Sequence, residues 1–324
     1  MKKLNWVTLG CGVIANQLAA ALQKDGRTLY GVANRTYDKA VAFAEKYSVQ
    51  KVYENIDDIF TDNNVDVIYI STPHNTHIQY LRKALSHGKH VLCEKSITLN
   101  SEELDEAIAL ADKHNAVFAE AMTLYHMPIY KKLNELIQSN ALGELRTIQM
   151  NFGSYKDYNM SNRFFNRSLA GGALLDIGVY AISFVRWFMS ETPKQISSQV
   201  RFAESGVDEQ AGILLMNKVG EMAAISLSLH AKQPKRGMVA FDKGYIEIYE
   251  YPRAEKAIIT YTDDGRQETI SCGQTDDALG YEVRDMEKAI CGEGNEMHLD
   301  FTKDVMDIMT EIRKSWNMTY PDEK

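Results

Sequence analysis

A glycine-rich string, Gly10-Cys11-Gly12-Val13-Ile14-Ala15, follows the apolar run Trp6-Val7-Thr8-Leu9 and precedes a helical stretch through Leu18, Ala19 and Leu22. In that setting the first glycine permits a tight turn and the second lets backbone N–H groups approach a pyrophosphate. The small alanine lets helix and strand pack closely. The helix N-terminus adds partial positive charge. Gly10, Gly12, Val13 and Ile14 are thus the residues expected to meet a dinucleotide, the plain alternative being a tight turn without a ligand. At the end of the next strand stands Asn34-Arg35-Thr36. An NAD site carries a carboxylate there for the ribose hydroxyls. Arg35 can instead pair with the extra phosphate of NADP and stack on adenine. NADP is the expected cofactor, with NAD as the second option. The competing reading makes Thr36 a helix cap and leaves Arg35 solvated.

Two further places carry chemistry. Lys95 follows Glu94 at the end of the strand His90-Val91-Leu92-Cys93, and ligands of open α/β sheets bind at the carboxyl ends of strands. A lysine there donates to a substrate oxygen, and burial beside a nicotinamide cation lowers its pKa from about 10.4. Asp176 and Tyr180 are four apart on an otherwise apolar stretch, Ala173 to Val185. A helix puts both on one face, and its lone buried carboxylate must find a partner or become neutral. The alternative pairs Asp176 with a core arginine and leaves Tyr180 as an amphipathic core residue. Gly178 inside that helix costs about 1 kcal/mol relative to alanine, so something is expected to approach its backbone. A neighbouring ammonium stabilises a phenolate, so either Lys95 or Tyr180 takes the proton, and coupled groups titrate as a pair. Ser71, Thr72, Pro73, Asn75 and His77 are expected to flank the nicotinamide, or else to be loop and cap material. Arg163 and Phe165, with Phe164, are candidates for a substrate wall, with ordinary aromatic packing as the competing reading. No His/Cys/carboxylate cluster suggests a metal, and hydride transfer needs none.

The elements that position these residues divide at about residue 122. The first part, 1–121, alternates short Val/Ile-rich strands with helices, the pattern of a doubly wound parallel sheet covered on both faces. The second part, 122–324, begins with a helix from Pro128 to Gln138. From Ile196 to Cys272 it reads as consecutive strands joined by tight turns such as Asp263-Asp264-Gly265, an antiparallel sheet. Two helices, near Asp276–Ile290 and Asp300–Trp316, end the chain. The expected fold class is α/β: a Rossmann domain, then an α+β domain with a large, mostly antiparallel open sheet.

With 324 residues and 45% hydrophobic residues, the chain suits two globular domains. Its net charge of −8 leaves no basic excess for a nucleic-acid partner. Cys11, Cys93, Cys272 and Cys291 are too scattered for a disulfide scaffold. The apolar stretch after Met1-Lys2-Lys3 is shorter than the roughly 7–15 residues of a signal peptide, and no run of about 20 apolar residues reads as a membrane span. A cytoplasmic location is expected.

Ser71-Thr72-Pro73-His74-Asn75-Thr76-His77, Gly88-Lys89-His90-Val91-Leu92-Cys93-Glu94-Lys95 and Gly171-Gly172-Ala173-Leu174-Leu175-Asp176-Ile177-Gly178-Val179-Tyr180 together resemble the Gfo/Idh/MocA oxidoreductase family. The resemblance implies a nucleotide domain and a second domain whose open sheet mediates dimerisation or tetramerisation. It also implies a catalytic lysine at Lys95. Tyr at 180, where many members have His, resembles the branch of dimeric dihydrodiol dehydrogenases and NADP-dependent aldose dehydrogenases, in which a Lys–Tyr pair handles the proton. By the same resemblance, Met122 and Tyr125 belong to the substrate side, and the substrate is a sugar, polyol or dihydrodiol. The family's Glu-Lys-Pro reads Glu94-Lys95-Ser96 here, and Tyr125 stands where that branch has arginine. A dinucleotide-binding regulator without chemistry is the alternative; such proteins commonly lack the lysine.

Overall fold

The computed structural model describes residues 3–323. They form two compact units. One takes Met1–Met122 with Asp276–Leu299, and the other Thr123–Thr275 with Asp300–Lys324.

In the first unit six short strands make a parallel sheet: β1 (Trp6–Leu9), β2 (Gly31–Ala33), β3 (Lys51–Tyr53), β4 (Val67–Ile70), β5 (His90–Glu94) and β6 (Phe118–Ala121). Their order is β3-β2-β1-β4-β5-β6, and every pairing is parallel. Helices α1 (Val13–Lys24), α2 (Tyr37–Tyr47), α3 (Asp58–Thr61), α4 (His77–Ser86) and α5 (Ser101–Lys113) connect them. Strands β1, β2, β4 and β6 are buried along their whole length, which is why all their residues but Thr8 and Glu120 are apolar. Strand order reverses between β1 and β4, and such a switch point opens a crevice at the strands' carboxyl ends.

In the second unit, α6 (Thr123–His126) and α7 (Pro128–Gln138) precede β7 (Leu145–Gly153). A π-helical segment, Leu174–Gly178, then runs straight into α8 (Val179–Phe188). The strands β8 (Gln195–Phe202), β9 (Asp208–Met216), β10 (Met222–Ser228), β11 (Gln233–Phe241), β12 (Gly244–Tyr249), β13 (Lys256–Tyr261) and β14 (Gln267–Ser271) follow. With β7 they form one sheet in the order β14-β13-β12-β11-β7-β10-β9-β8. All pairings are antiparallel except β7 with β10.

Three features depart from expectation. The penultimate helix, α9 (Ala278–Cys291), lies in the first unit, whereas a single division at residue 122 leaves it in the second. Its Leu279, Val283 and Met286 pack with Leu18 and Leu22 of α1. Its Glu287 accepts hydrogen bonds from Trp6 Nε1 at 2.8 Å and from Arg27 Nη1 at 3.1 Å. The last helix, α10 (Leu299–Ser315), returns to the second unit. Second, the helix expected around Asp176 begins as a π turn. Third, the helical run Arg167–Phe188 is long and apolar enough to cross a membrane by length and composition, although most of it is buried inside the fold, as in a core helix. Gly171, Gly172 and Asp176 break its apolar run in the sequence.

Candidate active site

At the switch point, β1 ends and the chain turns into α1 through Gly10, Cys11 and Gly12. Gly10 has φ +112°, and a Cβ there would stand 2.8 Å from the Ser71 carbonyl oxygen and 2.7 Å from its Oγ. Only glycine fits. Gly12 has an ordinary φ of −72°, yet nothing lies within 4 Å of where its Cβ would be. It is the N-cap of α1, so the space beside it lies at the start of that helix. Val13, the first helical residue, is 79% exposed. An apolar side chain left bare at a helix N-terminus is compatible with the dinucleotide site expected at Gly12, Val13 and Ile14.

The other predicted cofactor residues gather at the same sheet edge. Asn34, Arg35 and Thr36 close β2, where Asn34 Nδ2 donates to the Thr36 carbonyl at 2.9 Å. Thr36 occupies the N-cap of α2 but makes no side-chain cap bond, and Arg35 is exposed. Ser71, Thr72, Pro73 and Asn75 follow β4, and Ser71 N–H donates to the Leu9 carbonyl at 2.9 Å. Glu94 and Lys95 close β5, both half-buried, and Glu94 is hydrogen-bonded by the Tyr69 hydroxyl. The Lys95–Ser96 peptide is cis. His74 Nε2 lies 3.1 Å from the Lys95 carbonyl. His77 Nδ1 lies 3.0 Å from the Ser96 carbonyl, and its Nε2 lies 2.8 Å from that of Thr72. His77 is fully buried, and burial pulls its pKa below the usual value. The structure therefore makes His77 a clamp joining the loops after β4 and β5 rather than a face of the nicotinamide site.

In the second unit, two glycines shape the start of the π segment. A Cβ on Gly171 would meet the Arg163 and Phe164 carbonyls at 2.7 and 2.6 Å, and one on Gly172, at φ +129°, would lie 2.1 Å from Asp208 Oδ1. Asp208, the first residue of β9, is fully buried and accepts from the Leu174 N–H at 2.6 Å. It thereby caps the helical segment that presents Asp176 and Tyr180. Burial raises its pKa to about 7 against hydrogen bonds from backbone amides and the attraction of Arg313. Asp176 is 8% exposed, with Arg163 Nη2 3.6 Å from its Oδ1. The pairing arginine comes from an exposed loop, not from the core. The Tyr180 ring lies 6.2 Å from that of Phe152. At Gly178 the expected close approach is made by Leu227, 2.8 Å from an added Cβ.

The predicted substrate residues fare unequally. Arg163 is exposed. Phe165 is fully buried and packs 5.2 Å from Tyr158. Tyr125 is fully buried, stacked 6.0 Å from Trp187 and edge-on to Phe301, and Met122 is buried too. These three sit in packing rather than on an open face, and over Tyr125 the closing rings, Trp187 and Phe301, are distant in sequence. Among the described residues no group of His, Cys, Asp and Glu is arranged to hold a metal. Asp208 is a residue that sequence reasoning missed, since nothing in its spacing ties it to a helix 30 residues earlier.

The model of an oxidoreductase family with an NAD-binding Rossmann fold matches residues 4–122, and that of the GFO/IDH/MocA C-terminal domain matches residues 130–247. A trans-1,2-dihydrobenzene-1,2-diol dehydrogenase of Xenopus laevis is 30% identical over 280 residues, covering 85% of this chain and 83% of the relative. The chain belongs to the Gfo/Idh/MocA oxidoreductase family. The dihydrodiol dehydrogenase of Mus musculus is 31% identical over 249 residues, 76% of this chain and 74% of that protein. Solved structures give the same family fold. The 3-ketoreductase KijD10 of Actinomadura kijaniata, in complex with NADP and TDP-benzene, superposes with a TM-score of 0.87 at 20% identity, over 97% of this chain and 98% of that one. As a Gfo/Idh/MocA protein the chain is a nicotinamide-dinucleotide oxidoreductase.

Two outcomes follow from this geometry. Gly12→Ala needs no rearrangement, so its stability should stay within about 0.5–1 kcal/mol of wild type. The added methyl enters the space in front of α1, so NADPH affinity by fluorescence titration should fall at least about tenfold. Asp208 gives a pH signature. Its raised pKa means that the folded state holds this proton more tightly than the unfolded chain does. Stability therefore declines as pH rises from about 4 to about 7 and levels off above, by at most about 1.4 kcal/mol per unit. Asp208→Asn keeps an acceptor for Leu174 and removes the titration. Urea unfolding at pH 5 and pH 8 should show a larger loss in wild type than in this variant.

Proposed function

We propose that this chain oxidises a CH–OH carbon of a sugar, polyol or dihydrodiol, or reduces the corresponding carbonyl, with NADP as its preferred cofactor. The observation that carries the reading is Lys95 at the carboxyl end of β5, one strand from β4, on the same sheet edge as the glycine turn and Arg35. The dinucleotide, when bound, supplies the hydride acceptor or donor. Lys95 donates a hydrogen bond to the reacting oxygen, and Lys95 or Tyr180 removes the hydroxyl proton as the C–O bond becomes a carbonyl. Asp176 orients the substrate by accepting a hydrogen bond from a hydroxyl. His74 and His77 hold the loop that carries Lys95. Arg35, exposed where a carboxylate would exclude a 2′-phosphate, supports NADP. The names of the relatives, dihydrodiol dehydrogenases and a 3-ketoreductase, support this substrate range.

The free face of the eight-stranded sheet supports assembly into a homodimer or homotetramer. It carries exposed Leu214 and Met222 beside small residues such as Gly212 and Ser226. Four free cysteines support a reducing, cytoplasmic setting.

Steady-state assays with dihydrodiols, aldoses and inositols test the reading. Lys95→Ala and Tyr180→Phe should each lower kcat by about 10²–10⁴ while NADPH binding persists; full activity in both would defeat the assignment. Arg35→Asp should raise the KM for NADP at least about tenfold and leave that for NAD little changed.

A further inference from the structure

Around Asp176 and Tyr180 the second unit assembles positive charge that proton transfer does not use. Lys156 and Arg163, on the loop between β7 and the π segment, each stand 4.3 Å from the ring centroid of Phe164. Lys235 of β11 lies 5.4 Å over Phe152, the ring beside Tyr180. Lys232 adds a fourth cation whose field is felt at Lys156. Against these stand Asp176, 3.6 Å from Arg163, and Glu250, 2.8 Å from Lys235. Lys156 itself is half-buried, and among the described residues no carboxylate lies within ion-pair distance of it. Burial lowers its pKa, Arg163, Lys232 and Lys235 lower it further, and Asp176 opposes them. Withdrawing an ammonium from water among like charges is unfavourable for the isolated protein. The arrangement becomes favourable once an anion arrives to be shared. The Phe164 ring holds the cations near it by cation–π attraction, so little ordering remains for binding.

We propose that the substrate carries an anionic group, a carboxylate or a phosphate, which Lys156 and Arg163 receive while its hydroxyl carbon reacts. This deepens the reading above and rests on it, because Asp176 and Tyr180 are taken as the reacting end. It narrows the substrate class from neutral diols and polyols to sugar acids or sugar phosphates. Arg163 offers the planar fork that matches either anion bidentately, and Lys156 adds a point charge.

Matched substrates decide it: sorbitol against gluconate, and glucose against glucuronate and glucose 6-phosphate, each with NADP and NAD. The anionic members should have kcat/KM at least about tenfold higher, and the better of carboxylate and phosphate identifies the group. Lys156→Gln should cut the anionic-to-neutral ratio at least about tenfold, mainly through KM. Arg163→Gln, at an exposed position, should act in the same direction should the first variant fold poorly. Equal or better turnover of the neutral members, with a ratio indifferent to both substitutions, overturns the proposal and leaves the oxidoreductase reading standing. If no member turns over, calorimetric titration of gluconate, glucose 6-phosphate and sorbitol into the NADP-loaded protein decides the proposal separately. Preferential binding of an anion upholds it, and equal or absent binding overturns it.

Discussion

The carboxyl ends of β1 and β4 come so close that residue 10 can carry no side chain. A Cβ there would fall 2.8 Å from the Ser71 carbonyl oxygen, and the backbone at φ +112° is one that L side chains rarely adopt. This contact fixes the turn, the turn fixes where α1 begins, and the start of α1 sets which amides face outward. Because β5 pairs with β4, Lys95 is delivered to that edge by strand pairing alone. The loop that follows is fastened by two histidines whose ring nitrogens lie on the carbonyls of Lys95 and Ser96. Lys95 thus stands on a backbone held from behind by two imidazoles.

The second unit solves a similar problem with a carboxylate. Asp208 approaches Gly172 where any side chain would collide, and it takes the Leu174 N–H that opens the π segment. A π turn leaves more backbone groups without regular partners than an α turn does, and such turns cluster at functional sites. Burying Asp208 shifts its titration toward neutrality, so the capping of the segment that bears Asp176 and Tyr180 is coupled to pH. The cation cluster over Phe152 and Phe164 is of the same kind: local unfavourable electrostatics, held in place by surrounding packing.

Local patterns in the sequence determined much of this protein. Continuous Val/Ile strands alternating with helices specify a covered parallel sheet. The GxGxxA turn between strand and helix and Lys95 after its strand both mark the carboxyl edge of that sheet. Several antiparallel strands were equally readable from their turns. These features depend on residues within about a dozen positions of one another, where periodicity and turn chemistry govern.

Tertiary structure decided the rest, because the deciding partners lie far apart along the chain. Helix α9 joins the first unit through Trp6, Arg27 and the apolar face of α1. β7, whose alternating Ile148, Met150 and Phe152 carried a readable signal, enters the middle of the large sheet and pairs parallel with β10. Tyr125 turned into packing once Trp187 and Phe301 closed on it. Asp208 capping Leu174 and Arg163 pairing with Asp176 could be read from no spacing. A carboxylate or an ammonium acquires its role only when folding removes water and sets its neighbours.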